Sequence, residues 1–438
     1  MALWTSSEIA AAVGGQVHGD FKVNGVAFDS REVGEGDLFI ALAGDPGPRF
    51  HTSSPGTRDG HEFLGAAQQA GAAGALVSQS AASSLPQLRV GDTLDGLWAL
   101  GRCAAARHKG RRVAITGSSG KTTAKSFLAA ALSANAQAGS LNNFWGVPLC
   151  LARTPVDAVH AVYEIGTNQE GEIGPLSELV QPDVAVLLNV HPAHLGNFLS
   201  LEALTKEKLS IANGLDSNSN LVCEYGVAAN AGLEATAITF GESSGATVRL
   251  KDIEGDRVIY ELPNRVLAAK VPGGGAHRAL TLGAVVGTLL ALNEDPERAA
   301  ELPSSLVPLG RGSERLVEGA NGEQWLLIDD SYNANPASMM AALALLEANA
   351  TRSGRPGYAI IGEMLELGDQ SESYHLGLLD ACNALAGVFC VGSGSRVLYD
   401  ALPDAKRLGY ADEAKQIDLE ALLGQLPAKG AMLIKGSN

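Results

Sequence analysis

The chain has 438 residues, of which 46% are hydrophobic and 18% charged, and its formal net charge is −16. This length exceeds what a single hydrophobic core supports and predicts about three domains, while the composition excludes global disorder. The negative charge argues against a nucleic-acid or anionic-membrane surface, because both partners need a positive field.

Cysteine usage and the hydrophobic runs indicate an intracellular protein. The five cysteines are widely spaced and form no zinc-like cluster, so we expect reduced thiols in the core. The N-terminal residues carry neither a basic start nor an apolar core, which predicts a cytoplasmic location. The longest nearly apolar run, Ala279 to Leu292, is shorter than the roughly 20 residues that span a bilayer. We expect a buried helix there and no membrane insertion.

The first 84 residues are Gly-rich and predict a small α/β domain. A helix is expected near Phe63 to Ala73, followed by a strand from Gly74 to Val77. Residues His51 to Asp59 favour turns throughout, which predicts a surface loop.

A second α/β pattern begins near Arg111. The strand Val113 to Thr116 leads through glycines into a helix, and further strands are predicted at Ala158 to Ile165 and Asp183 to Val190. Strands alternating with helices predict a mostly parallel sheet that binds ligands at its carboxyl edge.

A third pattern follows Gly310. It predicts a helix at Ser338 to Ala350 and strands at Leu326 to Asp329, Tyr358 to Gly362 and Val388 to Val391. We expect a doubly wound, Rossmann-like domain. The three α/β domains are therefore placed at residues 1–84, 85–308 and 309–438.

A phosphate-binding loop stands between the first strand and helix of the central domain. In this position backbone amides and the helix N-terminus can wrap a phosphate chain, with Lys121 on the outer phosphates and Thr122 as a hydroxyl ligand of Mg²⁺. Ile115 stands where the general pattern has glycine, so the loop is a shortened variant; a chance Gly-Ser turn is the alternative. The predicted ATP-binding residues here are Gly117, Ser118, Ser119, Gly120, Lys121, Thr122 and Thr123.

Polar residues also follow the next two predicted strands of the central domain. Glu164 ends one strand and His194 follows the other, and a carboxylate at this edge can hold Mg²⁺; a merely solvated Glu is the alternative. Lys208 lies on a charged helix face, where a solvated lysine is the ordinary interpretation, and Lys206 stands close by.

The shortened loop resembles that of the Mur ligases, and the resemblance extends over almost the whole chain. The segment Asp329 to Met339 resembles the signature of the members that add D-alanyl-D-alanine. Other segments that resemble the family are Asp29-Ser-Arg31, Asn142 to Pro148, Gly362 to Gly368 with His375, and Lys435-Gly-Ser437.

The resemblance implies roles for individual residues. It implies Mg²⁺ ligands at Thr122, Glu164, His194 and Lys208, with Lys208 carrying a carbamate formed from CO₂, and it assigns catalysis to Lys121, Lys208 and His194. The resemblance also implies contacts to ATP from Arg311, Asp330 and Asn335, with Asn333 beside them, and contacts to a UDP-linked substrate from Ser30, Arg31, Asn142 and Asn143.

The implied reaction joins D-alanyl-D-alanine to a UDP-linked muramyl tripeptide through an acyl phosphate, with ATP and Mg²⁺ as cofactors and a monomer as the expected state. The alternatives are another Mur-type or folyl-polyglutamate-type ligase and a noncatalytic nucleotide-binding paralogue. Two departures favour the paralogue slightly, but the intact Gly-Lys-Thr sequence, Glu164 and His194 weigh more heavily in favour of the ligase. Leu209-Ser210 replaces the usual Gly-Glu after Lys208, and His277-Arg-Ala-Leu-Thr281 lacks both asparagines of the family's His-Asn-x-x-Asn segment, which leaves His277 a weak candidate.

Overall fold

The computed structural model describes residues 2–46, 58–79, 83–191, 198, 200–318, 324–424 and 426–437. Most of the predicted loop at 51–59 lies outside these residues, and so does His194. Up to residue 191 the strands are β1 (Trp4–Thr5), β2 (Gln16–His18), β3 (Lys22–Val23), β4 (Gly25–Ala27), β5 (Asp37–Ile40), β6 (Gly74–Val77), β7 (Gln87–Arg89), β8 (Arg111–Thr116), β9 (His160–Glu164) and β10 (Val184–Leu187). The helices of this part are α1 (Ser6–Val13), α2 (Leu64–Gln69), α3 (Thr93–Arg107), α4 (Lys121–Leu132), α5 (Gly146–Ala152) and α6 (Ile173–Val180).

Further strands and helices follow after residue 200. The strands are β11 (Asn220–Glu224), β12 (Ile238–Gly241), β13 (Val248–Glu254), β14 (Arg257–Leu262), β15 (Arg265–Lys270), β16 (Ser313–Glu318), β17 (Gln324–Asp330), β18 (Gly357–Gly362), β19 (Gly387–Val391), β20 (Arg407–Ala411) and β21 (Lys429–Lys435). The helices are α7 (Leu201–Leu209), α8 (Tyr225–Asn230), α9 (Ala276–Ala291), α10 (Pro336–Ser353), α11 (Ser371–Leu376), α12 (Leu379–Asn383), α13 (Arg396–Ala401) and α14 (Leu419–Gly424).

The chain forms two compact units. The first comprises Met1–Thr116, Leu132–Val186 and Leu209–Leu221. It contains a five-stranded sheet in the order β2-β7-β6-β5-β4, parallel except for β2. Successive residues of β5 enter two different cores, Leu38 and Ile40 on one face and Phe39 and Ala41 on the other, because side chains alternate along a strand.

A second sheet has eight strands in the order β15-β14-β13-β12-β11-β10-β8-β9. β8 and β9 are parallel, with Ile115 opposite Glu164, and β11 to β13 are also parallel. β14 and β15 extend the sheet in antiparallel fashion. The predicted mostly parallel sheet is confirmed, and the antiparallel extension is an addition that the sequence patterns did not predict.

The second unit comprises Gly117–Ala131, Leu187–Lys208 and Val222–Asn438. Its six-stranded sheet has the order β16-β17-β21-β18-β19-β20, with five parallel strands and an antiparallel edge strand, β16. Hydrophobic cores cover both faces of this sheet, as expected for a parallel sheet flanked by helices. The α/β class and the Rossmann-like layering are therefore confirmed.

Most predicted elements occur within a few residues of their expected positions. The helix predicted near Phe63 to Ala73 is shorter than expected and ends at Gln69, since Gly71 takes a left-handed φ of +96°. β7 lies beyond residue 84 and pairs in the N-terminal sheet; the three domain boundaries themselves stay predictions.

The expectations for cysteine and for hydrophobic runs can also be compared with the structure. All five cysteines are free, four of them buried and Cys103 half-buried. The run from Ala279 forms the buried part of α9. Among the described residues, no helix combines the length and hydrophobicity that a membrane crossing requires.

Candidate active site

The phosphate-binding loop, residues 117–120, is held by a second loop that follows β10. The Ser118 N–H donates to the Asn189 carbonyl at 3.1 Å, and the Ser119 N–H donates to Asn189 Oδ1 at 3.0 Å. The Ser118 hydroxyl donates to the His191 carbonyl at 3.0 Å and accepts from the His191 N–H at 2.9 Å. Asn189 and His191 were not predicted as site residues, yet they determine the shape of the loop.

Two glycines of the phosphate-binding loop have no room for a side chain. A Cβ at Gly117 would lie 2.9 Å from Cβ of Leu188. Gly120 has a φ of +80°, and a Cβ there would lie 3.2 Å from the Thr281 hydroxyl. The loop backbone can therefore pack closely on its neighbours only because these positions are glycine.

Lys121 begins α4 and folds back over the phosphate-binding loop. Its Nζ donates to the Gly117 carbonyl at 2.8 Å. Thr122 follows in the first turn of α4 and is buried. A cation and a hydroxyl thus stand where the backbone amides of a helix N-terminus favour phosphate.

Lys208 is one of the most buried charged residues of the second unit. Only 2% of it is exposed, whereas Lys206 on the same helix is exposed. Burial and the nearby charge of Lys121 lower the pKa of Lys208 to about 7, although Glu207 acts in the opposite direction. A substantial fraction of this amine is therefore neutral near pH 7, and only a neutral amine is nucleophilic.

The burial of Lys208 has a signal in the sequence. Leu204 and Lys208 are four residues apart, so they lie on the same face of α7, and both are buried. This spacing separates Lys208 from Lys206, which the charged composition of the helix had left ambiguous.

Glu164 lies at the carboxyl end of β9, in the first unit. It is buried, and the Asn142 side-chain amide donates to its Oε1 at 2.9 Å. The Asn142 carbonyl accepts from the Gly166 N–H at 2.7 Å. Asn142 therefore orients the Glu164 carboxylate, while Asn143 Oδ1 accepts from the N–H of Gly146 at 2.9 Å at the start of α5.

Two of the predicted Mg²⁺ ligands have the chemistry that this ion requires. The Thr122 hydroxyl in the second unit and the Glu164 carboxylate in the first unit are each a ligand type that Mg²⁺ prefers. This ion usually takes only one or two protein carboxylates alongside phosphate oxygens and water. Within the described ranges, no group of three or more His, Cys, Asp or Glu side chains could hold a metal. By its chemistry, each of the two side chains therefore suits the role of a single protein ligand to an ion that also binds phosphate.

An ion pair between buried Lys435 and half-buried Asp330 lies at the carboxyl end of β17. Lys435 Nζ lies 2.6 Å from Asp330 Oδ2 and donates to the Asn333 carbonyl at 2.8 Å. Burial raises the pKa of Asp330, which the charges of Lys435, Arg278 and Arg311 oppose. Of these cations, Lys435 pairs directly with the carboxylate.

Two further residues predicted to contact ATP have structural contacts of their own. The guanidinium of Arg311 lies 4.0 Å from the centre of the Tyr332 ring. Asn335 is the N-cap of α10, since its Oδ1 accepts from the Ser338 N–H at 2.9 Å. Their contacts to nucleotide stay predictions.

The residues predicted to hold the UDP group are exposed or half-buried. Arg31 is 87% exposed in its side chain and pairs with Asp29 at 2.5 Å, while Ser30 is half-buried. His375, by contrast, is fully buried: its Nε2 accepts from the Met364 N–H and its Nδ1 donates to the Ser371 carbonyl. Burial lowers the pKa of His375, so this ring is a neutral structural element.

The two departures near α9 are also visible in the structure. Arg278 and Thr281 occupy the positions of the missing asparagines, and both are buried. The Thr281 hydroxyl donates to the His277 carbonyl at 3.0 Å, whereas His277 itself is exposed.

Comparison with known proteins places these features in one family. Residues 115–287 match the Mur ligase middle domain, and residues 315–438 match the family described as Mur ligase, glutamate ligase domain. The UDP-N-acetylmuramoyl-tripeptide–D-alanyl-D-alanine ligase of Escherichia coli is 33% identical over 99% of this chain and 95% of its own length. The ligase of that name from Rickettsia prowazekii is 30% identical over 92% of this chain and 90% of its own length.

Solved structures show the same similarity. MurF from Acinetobacter baumannii has a TM-score of 0.80 and 28% identity, covering 99% of this chain and 96% of that one. MurF ligase from Thermotoga maritima in complex with ADP has a TM-score of 0.75 and 27% identity, covering 94% of each chain.

Proposed function

The chain belongs to the Mur ligase family, and from this premise we propose that it joins D-alanyl-D-alanine to UDP-N-acetylmuramoyl-tripeptide at the expense of ATP. The observation that carries the proposal is the full-length similarity to ligases of this name, 33% identical over 99% of this chain in the E. coli relative. The alternative assignment to another Mur-type or folyl-polyglutamate-type ligase lacks this support, because the relatives cited are named for the addition of D-alanyl-D-alanine.

The chemistry requires activation, because a carboxylate is a poor acyl donor. A carboxylate oxygen of the tripeptide attacks the γ-phosphorus of ATP, and the bond to ADP breaks. The amine of D-alanyl-D-alanine then attacks the acyl carbon, phosphate leaves with the bonding electrons, and the amine loses its proton. No covalent enzyme intermediate is required, so the work of the protein is positioning and charge neutralisation.

The phosphate-binding loop and Lys121 would neutralise the phosphate chain. Lys121 already donates to a loop carbonyl at 2.8 Å, and we propose that it exchanges this acceptor for a phosphate oxygen. Mg²⁺, when bound, would supply further positive charge at the phosphates. We assign its protein ligands to Thr122, Glu164, His194 and Lys208.

The assignment of Lys208 requires its conversion to a carbamate. The neutral amine attacks the carbon of CO₂ and loses a proton, which replaces a cation by an anion. A buried cation repelled by Lys121 would then become an anion attracted to Lys121 and to Mg²⁺. The low pKa of Lys208 supports this step, because it supplies the neutral amine near pH 7.

For the remaining contacts we propose that Arg311, Asp330 and Asn335 face the nucleotide. Ser30, Arg31, Asn142 and Asn143 would face the UDP-linked substrate. Since the reaction consumes ATP, we place it in the cytoplasm, and we propose that the protein acts as a monomer.

The deciding experiment measures phosphate release from ATP with Mg²⁺, UDP-N-acetylmuramoyl-tripeptide and D-alanyl-D-alanine, omitting each component in turn. We expect release to require both substrates and the pentapeptide mass to appear. If a nonhydrolysable ATP analogue and the UDP precursor bind but no product forms, the noncatalytic paralogue replaces the ligase. If another amino acid replaces D-alanyl-D-alanine as the better acceptor, another Mur-type ligase is indicated.

A further inference from the structure

Arg278, in the first turn of α9, joins two separate backbone segments. Only 2% of this residue is exposed. Its Nη1 donates to the carbonyls of Gly273 at 2.6 Å and Gly274 at 3.1 Å. Its Nη2 donates to the carbonyls of Arg311 at 3.0 Å and Gly312 at 2.8 Å. The planar guanidinium thus bridges the turn before α9 and the segment that enters β16.

Both of these segments depend on glycines in left-handed conformations. The φ angles are +72° at Gly273, +63° at Gly274, +72° at Gly310 and +78° at Gly312. A Cβ at Gly312 would overlap Nη2 of Arg278, and one at Gly273 would lie 3.1 Å from Nη1. Glycine permits this approach but leaves the backbone intrinsically free, so an external contact must fix its conformation.

The donors of Arg278 are directed to main-chain carbonyls. Burial lowers the pKa of Arg278, while the charges of Asp330 and Glu314 oppose that shift. Four hydrogen bonds to carbonyl oxygens satisfy the guanidinium in a fork geometry that a lysine ammonium cannot reproduce. These contacts therefore fix the positions of four carbonyls in two backbone segments, which is a positional role.

One of the two segments carries Arg311. The Gly310 carbonyl accepts from the Tyr332 N–H at 2.9 Å, and the Gly312 N–H donates to the Asp329 carbonyl at 2.7 Å. Between these two points the Arg311 carbonyl is held by Arg278, and the Arg311 side chain stacks on Tyr332. The backbone position of Arg311 is thus fixed from the side of α9.

We propose that Arg278 is a positioning residue for ATP, which acts by fixing residues 310–312 so that the Arg311 side chain meets the nucleotide. The proposal rests on the proposed function, since Arg311 is assigned there to ATP. In this chain Arg278 would replace, by a backbone contact, one of the asparagines that the family pattern has at this site.

The test compares Arg278→Gln with Arg311→Gln and with the double variant. The probe is AMP-PNP with Mg²⁺, measured by titration calorimetry, together with the KM for ATP and for the UDP precursor. We expect Arg278→Gln to raise the Kd for AMP-PNP about tenfold, with the KM for the UDP precursor unchanged. In the Arg311→Gln background the Arg278→Gln change should have almost no further effect, because the two residues act as one unit.

Arg298→Gln is the matched control. Arg298 Nε donates to the Ala131 carbonyl at 2.6 Å, and Arg298 also pairs with Glu294, so this variant loses a comparable backbone contact away from residues 310–312. Arg278→Lys keeps the charge but loses the fork, and it serves if Arg278→Gln does not fold. We expect it to weaken AMP-PNP binding in the same direction.

Additive effects of Arg278→Gln and Arg311→Gln, or equal weakening by Arg298→Gln, would overturn the positioning role. So would unchanged AMP-PNP affinity in both Arg278 variants. Failure of the ligase function is a separate result: the wild-type protein would bind AMP-PNP yet form no product, and the affinity comparison would still decide the role of Arg278.

Discussion

Replacement of Lys208 by Met should stabilise the protein at neutral pH. The pKa of Lys208 is about 7 in the folded protein and 10.5 in the unfolded chain. At pH values between about 7 and 10.5 the unfolded state binds more protons than the folded state. The free energy of unfolding therefore rises with pH over this range. At about 1.4 kcal/mol per unit of pKa, the buried amine costs roughly 4 kcal/mol at pH 7 and roughly 2 kcal/mol at pH 9. Met fills a similar volume without a proton to lose.

The assay is equilibrium urea unfolding of both proteins at pH 7, 8 and 9, in metal-free buffer purged of CO₂. We expect the advantage of Lys208→Met to shrink as pH rises, because the free energy needed to remove the proton from the wild-type lysine on folding falls as the pH approaches 10.5. Lys206→Met is the matched control, since Lys206 is exposed on the same helix, and its difference from wild type should not vary with pH. Lys208→Met should also lack ligase activity, as expected when a functional residue costs stability.

A constant difference between Lys208→Met and wild type from pH 7 to 9 would refute the reasoning, because the penalty would then not come from protonation. A less stable Lys208→Met protein would refute it as well. Addition of bicarbonate to the wild type should raise its stability if the carbamate forms, and it should leave Lys208→Met unchanged.

Three further predictions concern the carboxylates and the helix cap. Asp330→Asn leaves the ammonium of Lys435 buried without its partner and should lower the free energy of unfolding by about 3 kcal/mol, whereas Asp400→Asn, in an exposed pair, should leave urea unfolding unchanged. Asn335→Ala removes the N-cap of α10 and should cost about 1 kcal/mol in thermal unfolding, with Asn335→Ser close to wild type. Glu164→Gln should raise the Mg²⁺ concentration needed for half-maximal ligation about tenfold, while a KM for D-alanyl-D-alanine that rose equally would contradict a metal role.

Short sequence patterns predicted those elements of the fold that depend on a few neighbouring residues. The strand at Gly74 to Val77 occurs at the predicted residues because a short apolar run between turns has few other options. β13 to β15 were not predicted, although buried and exposed residues alternate along much of β14 and β15, a pattern typical of half-buried strands. The turn at Gly255, with a φ of +66°, was the available signal for that hairpin.

The functional site also has a part that local sequence patterns predict and a part that they do not. The phosphate-binding loop could be predicted because strand, glycines and helix follow one another within a few residues. The contacts that support the site join distant residues: Asn142 with Glu164, Ser118 with Asn189 and His191, and Asp330 with Lys435. Such pairings depend on sheet order, which sequence spacing does not encode. The proposed role of Arg278 was harder still to predict. From sequence alone, an arginine at a position where the family has asparagine suggests that a contact has been lost.

The strand order of the C-terminal sheet has a consequence for biosynthesis. β21 lies between β17 and β18, with parallel pairing on both sides, although about a hundred residues of chain separate it from β17. During translation β17 and β18 emerge before β21, and they do not pair with each other. The edge of each strand that pairs with β21 therefore stays exposed until β21 leaves the ribosome. β21 also delivers Lys435, which means that a nascent chain gains the counter-charge of Asp330 only when this sheet closes. Ribosome stalling before residue 429 should therefore produce a chain whose C-terminal sheet, from β16 to β20, is open and sensitive to protease.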